Sequence, residues 1–274
     1  MEKISFAGRE WNEDYAFSGE QFSFVIDGAT SLTPEKFSNE ETDAKWFSLQ
    51  FGKFLEKELK HEDLSISEIL KKGIIKIAKD FKKLSGKHDV IDMPSAAIAI
   101  VRRKQNKLEY FVLGDCGFLF KHKNAVKEFT TTKITKLDKL NIDTMVKIAK
   151  EKNIDVIQAR KFVNDDILKK RLSKNTKNGY WILCDSIEAC DHALQGELDI
   201  EGGDEILLYS DGFSQLWDTL DLFKKKQIFQ QFDNGQTLVD LFNLLRKTQK
   251  EDSGCNKFPR TKVHDDSSAV YFKI

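Results

Sequence analysis

The chain has 274 residues, 40% of them hydrophobic, which suits one large domain or two small ones with a core that needs no disulfide or structural metal. Lys+Arg and Asp+Glu both number 44, so the net charge is zero and the basic excess of a nucleic-acid binder is missing. The longest apolar run, Ser95 to Val101, is too short to span a bilayer, and "MEKISFAGREWNED" lacks the apolar centre of a signal peptide, so a cytoplasmic protein is expected.

In chain order, "GREWNEDYAF" comes first and crowds an arginine, an amide and two adjacent acids in front of an apolar segment. "FSFVID" reads as a strand that ends on an acid. Residues 40–60 read as a helix, with Phe47, Phe51, Phe54 and Leu55 at near-helical spacing. A second helix begins at Ser65, the N-cap of a capping box closed by Glu68, with Ile66, Ile69, Leu70, Ile77 and Phe81 on one face. "SAAIAIVRR" and "LEYFVLGD" are strands joined by the turn "KQNK", and "GFLFKHKNAVKEF" continues the β pattern. From about Thr131 to Asn178 the texture turns lysine-rich, with helix-like segments at 140–150 and 156–172, and reads as a surface insertion. "GYWILCD", "DEILLYSD" and the final "SSAVYFKI" are strands, and "QTLVDLFNLLRKTQ" is a helix. Lysines around Lys71, Lys82 and Lys224 alternate with apolar residues as on solvated helix faces. Short turns between strands and helices grouped in blocks favour an α+β fold with antiparallel sheets.

The cysteines Cys116, Cys184, Cys190 and Cys255 form no CxxC pair, which points to reduced thiols and no zinc site. Cys116 has no evident partner base and reads as a small buried residue. Trp181 and Trp217 read as core; Trp11 either lines a cleft or packs.

Strand after strand finishes or begins on an aspartate: Asp27 with Gly28, Asp115 after Gly114, Asp211 before Gly212, and Asp265 with Asp266 ahead of the last strand. Asp14 in the opening segment adds another. One such case is turn chemistry. The repeated pattern suggests carboxylates gathered at neighbouring strand ends, which stay ionised together only around a positive charge. All-oxygen ligands suit Mg2+ or Mn2+. Two such ions make a hydrolytic site for phosphate esters. Arg9, close ahead of Asp14, offers the planar fork that grips phosphate oxygens.

The ordered set "RxxNED" at Arg9 to Asp14, "DGA" at Asp27, "GD" at Gly114 and Asp115, "SDGF" at Ser210 and "DDSS" at Asp265 resembles the metal-dependent protein phosphatases, the type 2C family of serine/threonine phosphatases. The resemblance runs from residue 9 to residue 268. It implies an α/β/β/α sandwich, two antiparallel sheets flanked by helices, with a binuclear Mn2+/Mg2+ centre at one end. By the same resemblance Asp27 bridges the ions, the Gly28 carbonyl binds one, and Asp211 and Asp265 complete the other. Asp14 acts through water with Glu13 as a helper, Asp115 holds a third ion, and Arg9 holds the phosphate. The insertion at about 131–178 falls where the family carries its flap, within a single domain spanning 1–274.

"DGATSLTPEKF" lacks the histidine that many members carry as a proton donor, and His264 is a candidate by position alone. "PSAA" replaces the usual "GTT"-like start of the next strand. The expected function is hydrolysis of phosphoserine and phosphothreonine in proteins by a metal-bridging hydroxide, by a monomer with no membrane or nucleic-acid partner. A phosphatase of a small phosphorylated metabolite, or a non-catalytic sensor on the same fold, remains an alternative.

Overall fold

The computed structural model describes residues 1–29, 35–86 and 93–274. Strands β1 (Glu2–Phe6), β2 (Tyr15–Ser18) and β3 (Phe22–Ala29) lead to helices α1 (Asp43–Glu58) and α2 (Ile66–Ser85). Next come β4 (Ser95–Lys104), β5 (Lys107–Leu113), β6 (Gly117–His122) and β7 (Ala125–Thr130), then α3 (Lys133–Lys152), α4 (Val156–Ala159) and α5 (Asn164–Leu172). The chain closes with β8 (Leu194–Asp199), β9 (Glu205–Tyr209), α6 (Asp211–Asp218), α7 (Lys225–Asp233), α8 (Leu238–Glu251) and β10 (Ser267–Lys273).

The strands form two five-stranded sheets, ordered β1-β10-β9-β6-β7 and β2-β3-β4-β5-β8. All pairings between these strands are antiparallel. Period-two alternation sorts their side chains. In β3, Phe24 and Ile26 face α1 and α2, whereas Val25 faces the other sheet. In β4, Ile98 and Ile100 face the helices, whereas Ala97, Ala99 and Val101 meet Phe118, Leu208 and Val270 between the sheets. The β1-β10-β9-β6-β7 sheet is covered by α6, α7 and α8 through Leu207, Tyr209, Phe213, Phe229, Leu241 and Tyr271. The result is the α/β/β/α sandwich that the sequence led us to expect.

Local chemistry sets the boundaries. Ser65 and Glu68 form the expected capping box at the start of α2, and Gly86 ends that helix in the left-handed conformation. Two-residue turns at 105–106 and 123–124 close the β4–β5 and β6–β7 hairpins, with Gln105 and Lys123 at positive φ as such turns require. Fully buried Arg102 donates to the carbonyls of Leu59, His61 and Leu64 and pairs with Glu109 at 2.6 Å, tying the α1–α2 loop to the sheet. All four cysteines are free and buried. Burial pushes the Cys116 thiol well above its ordinary range, as befits a packing residue. Trp217 is buried, whereas Trp11 is 40% exposed and packs into no core cluster.

The structure departs from the sequence reading in several places. "GYWILCD" is not a strand: Leu183 makes a single bridge to Ala96, and Lys174 another to Tyr180. The reason is lack of a free edge, because β4 is flanked by β3 along its length and by β5 from Ile98 onward. The insertion's first helix runs over 133–152 rather than 140–150, and its second breaks into α4, a 3-10 turn at Arg160–Phe162, and α5. Strands β1 and β8 and helices α6 and α7 had no strong pattern in the sequence; β8 is an edge strand with a mostly exposed, polar surface.

Candidate active site

Antiparallel pairing brings the end of β3, the end of β5, the end of β9 and the start of β10 to one end of the sandwich. Asp27 and Gly28 belong to the last turn of β3, Asp115 follows β5, Asp211 opens α6 directly after β9, and Asp265 precedes β10. These five residues line one cleft with a volume of about 150 Å3. The expected site residues therefore converge, with two differences in depth. Asp14 is buried and lies behind the cleft wall, and Arg9 is exposed on the loop ahead of β2 and does not line the cleft.

That loop is stitched down from below. The Asp266 carboxylate accepts the backbone N–H of Gly8 at 2.6 Å and of Glu13 at 2.7 Å. Asn12 Oδ1 accepts the N–H of Asp14 at 3.0 Å, and Asn12 Nδ2 donates to Ser5 Oγ at 2.8 Å. Arg246 Nη2 donates to the carbonyls of Asp265 at 2.6 Å and Ala7 at 3.2 Å. Asp266 and Arg246 are thus positioning groups; the sequence marks Asp266 only as a strand-end acid, and nothing in it distinguishes Arg246 from surface charge.

Glycine is a steric necessity at two of the motif positions. A Cβ on Gly28 would fall 2.5 Å from the Glu13 carbonyl oxygen and 2.8 Å from Ser48 Oγ. Gly114 has φ of +85°, and a Cβ there would meet Ala97 Cβ at 2.6 Å; the turn it allows sets Asp115 into the cleft.

The insertion roofs the cleft. Ile134, Leu137, Asp138 and Asn141 from α3, Arg160, and Ile167, Lys170 and Arg171 from α5 face the aspartates, with Lys262 on the β10 side. The roof has a small core of its own around Met145, Ala149, Val156, Ala159, Val163 and Cys255. It docks on the 252–263 loop through Ile157 N–H to the Gly254 carbonyl at 3.1 Å, Val156 N–H to Asn256 Oδ1 at 3.0 Å, and Arg160 Nη1 to the Thr261 carbonyl at 2.7 Å. Asp138, Arg160 and Lys262 were invisible as site residues in the sequence, since each comes from a lysine-rich stretch or an irregular loop without a motif.

Burial, then mutual repulsion, dominates the electrostatics. Desolvation pushes Asp14, Asp27 and Asp115 well above the usual carboxylate range, and like charges push further: Asp266 on Asp14, Asp14 on Asp27, Asp211 on Asp115. Burial and Asp265 raise Asp211 to about 6, although Lys262 opposes the rise. Among the roof residues, burial and the nearby guanidiniums of Arg9 and Arg171 disfavour the charged form of Arg160. His264 faces away: its Nδ1 lies 3.0 Å from Gln249 Oε1, and burial with Arg246 and Arg260 keeps it below its ordinary value. It does not line the cleft, so the structure gives it no part as a proton donor there. Residues 30–34 of "DGATSLTPEKF" lie outside the described residues.

The acids fit divalent cations. Both Asp14 carboxylate oxygens are buried without a close hydrogen-bond partner, the nearby Ser268 hydroxyl being the side chain that favours their charged form. Carboxylates that raise one another's pKa favour a shared cation, and an all-oxygen donor set suits Mg2+ or Mn2+. The cluster is wider than a cage for one ion. Among the described residues, the trio whose ligand atoms all fall within 4.8 Å of one another is His122, Glu201 and Asp204, at the far end of β6. Ordinary contacts account for that trio: His122 Nδ1 hydrogen-bonds the Asp204 carboxylate at 2.9 Å and Lys123 pairs with Glu201 at 3.3 Å.

Comparison with known proteins points the same way. Residues 10–253 match the family model described as Protein phosphatase 2C. Compared by sequence with individually curated proteins, the chain has no match. Among solved structures it resembles the Mycobacterium tuberculosis serine/threonine phosphatase PstP/Ppp, with TM-score 0.59 and 14% identity over 98% of this chain and 96% of that one. It also resembles PppA of Pseudomonas aeruginosa, described as a key regulatory component of T6SS, with TM-score 0.59 and 13% identity over 100% and 96% of the two chains. The PstP catalytic domain solved in complex with two manganese ions gives TM-score 0.56 and 13% identity over 98% and 95%. At such identities these likenesses speak for the fold, and the family match carries the assignment. With its acids converging at one end of that fold, the chain belongs to the protein phosphatase 2C family.

Proposed function

We propose that this chain is a Mn2+- or Mg2+-dependent phosphatase acting on phosphoserine and phosphothreonine in proteins. The observation that carries the reading is the gathering of half-buried, mutually repelling aspartates from four separate strand ends into one cleft, with buried Asp14 behind it. In this reading Asp27, the Gly28 carbonyl, Asp211 and Asp265 hold two ions, Asp14 supports them from behind, and Asp115 holds a third. When bound, the ions supply Lewis-acid polarisation of the phosphoryl oxygens and of the attacking water.

The chain's own groups bind and orient. Arg9 stands at the rim, near enough to Arg160 to disfavour its charge. A phosphoryl dianion entering there relieves that repulsion and is gripped by guanidinium on its non-bridging oxygens. The roof at about 131–178 serves as the flap of a single domain and shapes substrate choice. Zero net charge supports a protein substrate rather than nucleic acid, and no helix among the described residues is long and apolar enough to cross a membrane. We place the chain in the cytoplasm as a monomer.

The test is phosphate release from a phosphopeptide panel and a set of phosphorylated metabolites, with Mn2+, with Mg2+ and with EDTA. Metal-dependent turnover of phosphopeptides is expected. Turnover of metabolites alone, or none with any substrate, refutes the reading.

A further inference from the structure

Lys262 lines the cleft and directly contacts a carboxylate read here as a metal ligand. Its Nζ lies 2.6 Å from Asp265 Oδ1. Other cleft cations are engaged elsewhere: Lys170 Nζ donates to the Leu137 carbonyl at 2.7 Å and to Asn141 Oδ1, and Arg160 to the Thr261 carbonyl. The Lys262 ammonium is held there by built structure. Buried Arg260 donates to the carbonyls of Phe258, Gln249, Asp252 and Val263 and to the Asp252 carboxylate at 2.8 Å. Asp252 in turn accepts the N–H groups of Asn256, Lys257 and Phe258, each at 3.0 Å. The Thr261 carbonyl is braced by Arg160 from the roof. A loop pinned from both sides therefore delivers one ammonium into a group of acids.

We propose that Lys262 is a tethered counter-ion that occupies part of the cation site in the metal-free protein and must leave Asp265 before a divalent ion can bind there. The proposal rests on reading the acid cluster as a divalent-cation site. Its physical basis is competition for the same oxygens. The ammonium at 2.6 Å and the Asp266 N–H at 3.0 Å together fill the acceptor positions of Asp265 Oδ1, and the ammonium sets a like charge against any cation approaching that carboxylate. The setting is wider than one contact: Asp27, Asp115, Asp138 and Asp211 line the same cleft as this ammonium. The metal-free fold thereby tolerates acids it could not otherwise keep together, at the expense of cation affinity.

The test is calorimetric Mn2+ titration of the wild-type chain, Lys262→Met and Lys262→Gln, with thermal unfolding in EDTA. Loss of one charge-assisted hydrogen bond is expected to tighten Mn2+ binding about tenfold. The melting temperature of the metal-free variants is expected to fall, and their gain on adding Mn2+ to grow. Lys170→Met removes a cleft cation that touches no acid, so its change should be much smaller than that of Lys262→Met. Equal or weaker Mn2+ binding by the Lys262 variants, or the same gain in Lys170→Met, overturns the role of Lys262 and leaves the phosphatase reading standing. No Mn2+ binding by any form removes both. Should the Lys262 variants not fold, 15N NMR of the lysine ammonium groups in the wild type decides. A Lys262 signal protected from solvent exchange without metal and lost on adding Mg2+ supports the proposal; a signal that Mg2+ leaves unchanged overturns it.

Discussion

Replacing Asp211 by asparagine should make the metal-free protein more stable while removing its response to metal. The Asp211 carboxyl is pushed from its ordinary 3.8 to about 6 by burial and by Asp265. The folded state therefore holds this proton more tightly than the unfolded chain does. Below pH 3.8 the carboxyl is protonated in both states and costs nothing; through pH 4 to 6 the folded state is progressively penalised; above pH 6 the full penalty applies. At 1.36 kcal/mol for each tenfold in proton affinity, the ceiling is about 3 kcal/mol. Because Asp211 is only half-buried, on a floor that solvent reaches, screening lowers the expected figure to about 1.5–2.5 kcal/mol. Asparagine keeps the shape and an oxygen that can accept from Asp27 but carries no charge. Urea unfolding in EDTA should show Asp211→Asn ahead by that margin at pH 7.5 and by little at pH 4. Mn2+ at a hundredfold excess over its Kd should then stabilise the wild type by about 2.7 kcal/mol and the variant hardly at all. A variant no more stable than wild type at pH 7.5, or a difference indifferent to pH, would refute the reasoning.

Gly28→Val should be destabilising by about 2–4 kcal/mol in chemical unfolding and should abolish turnover, because its side chain meets the Glu13 carbonyl at 2.5 Å. Arg9→Ala should raise KM for phosphopeptides at least about tenfold with a smaller change in kcat, as loss of a ground-state phosphate contact would; steady-state kinetics at saturating Mn2+ decide, and unchanged KM counts against its role. His264→Ala should leave the shape of the pH–kcat profile as it is, since the ring faces Gln249 rather than the cleft; loss of one limb of that profile would restore the histidine as a proton donor.

How much of this was legible in the sequence differs between layers for physical reasons. Strands β3, β4, β9 and β10 carry contiguous apolar residues buried on both faces, so their runs stood out, and the aspartates at their ends came with them. The capping box of α2 was legible because it is a local contact. Strand β8 was not, because an edge strand exposed to water needs no apolar pattern. "GYWILCD" misled because its buried Leu183 and Cys184 pack into the core under α1 and α2, and its Ile182 lines the cleft, with only a single bridge to β4. Asp27, Asp115, Asp211 and Asp265 were found through their glycines and their order. Lys262 and Asp138 were not, and Asp266, though counted among the strand-end acids, gave no sign of its role, because these roles arise from long-range contacts: Asp266 reaches Gly8 and Glu13 across more than 250 positions. The chain's many lysines hide the one that matters, and only its 2.6 Å contact with Asp265 sets it apart.

The most direct test of the central claim is anomalous diffraction from crystals of the chain grown with Mn2+, collected at the manganese edge. We expect at least two peaks between Asp27, Asp211 and Asp265, with the Gly28 carbonyl in the shell of one. Peaks confined to the His122, Glu201 and Asp204 trio, or no peak among the cleft aspartates at millimolar Mn2+, would contradict the account.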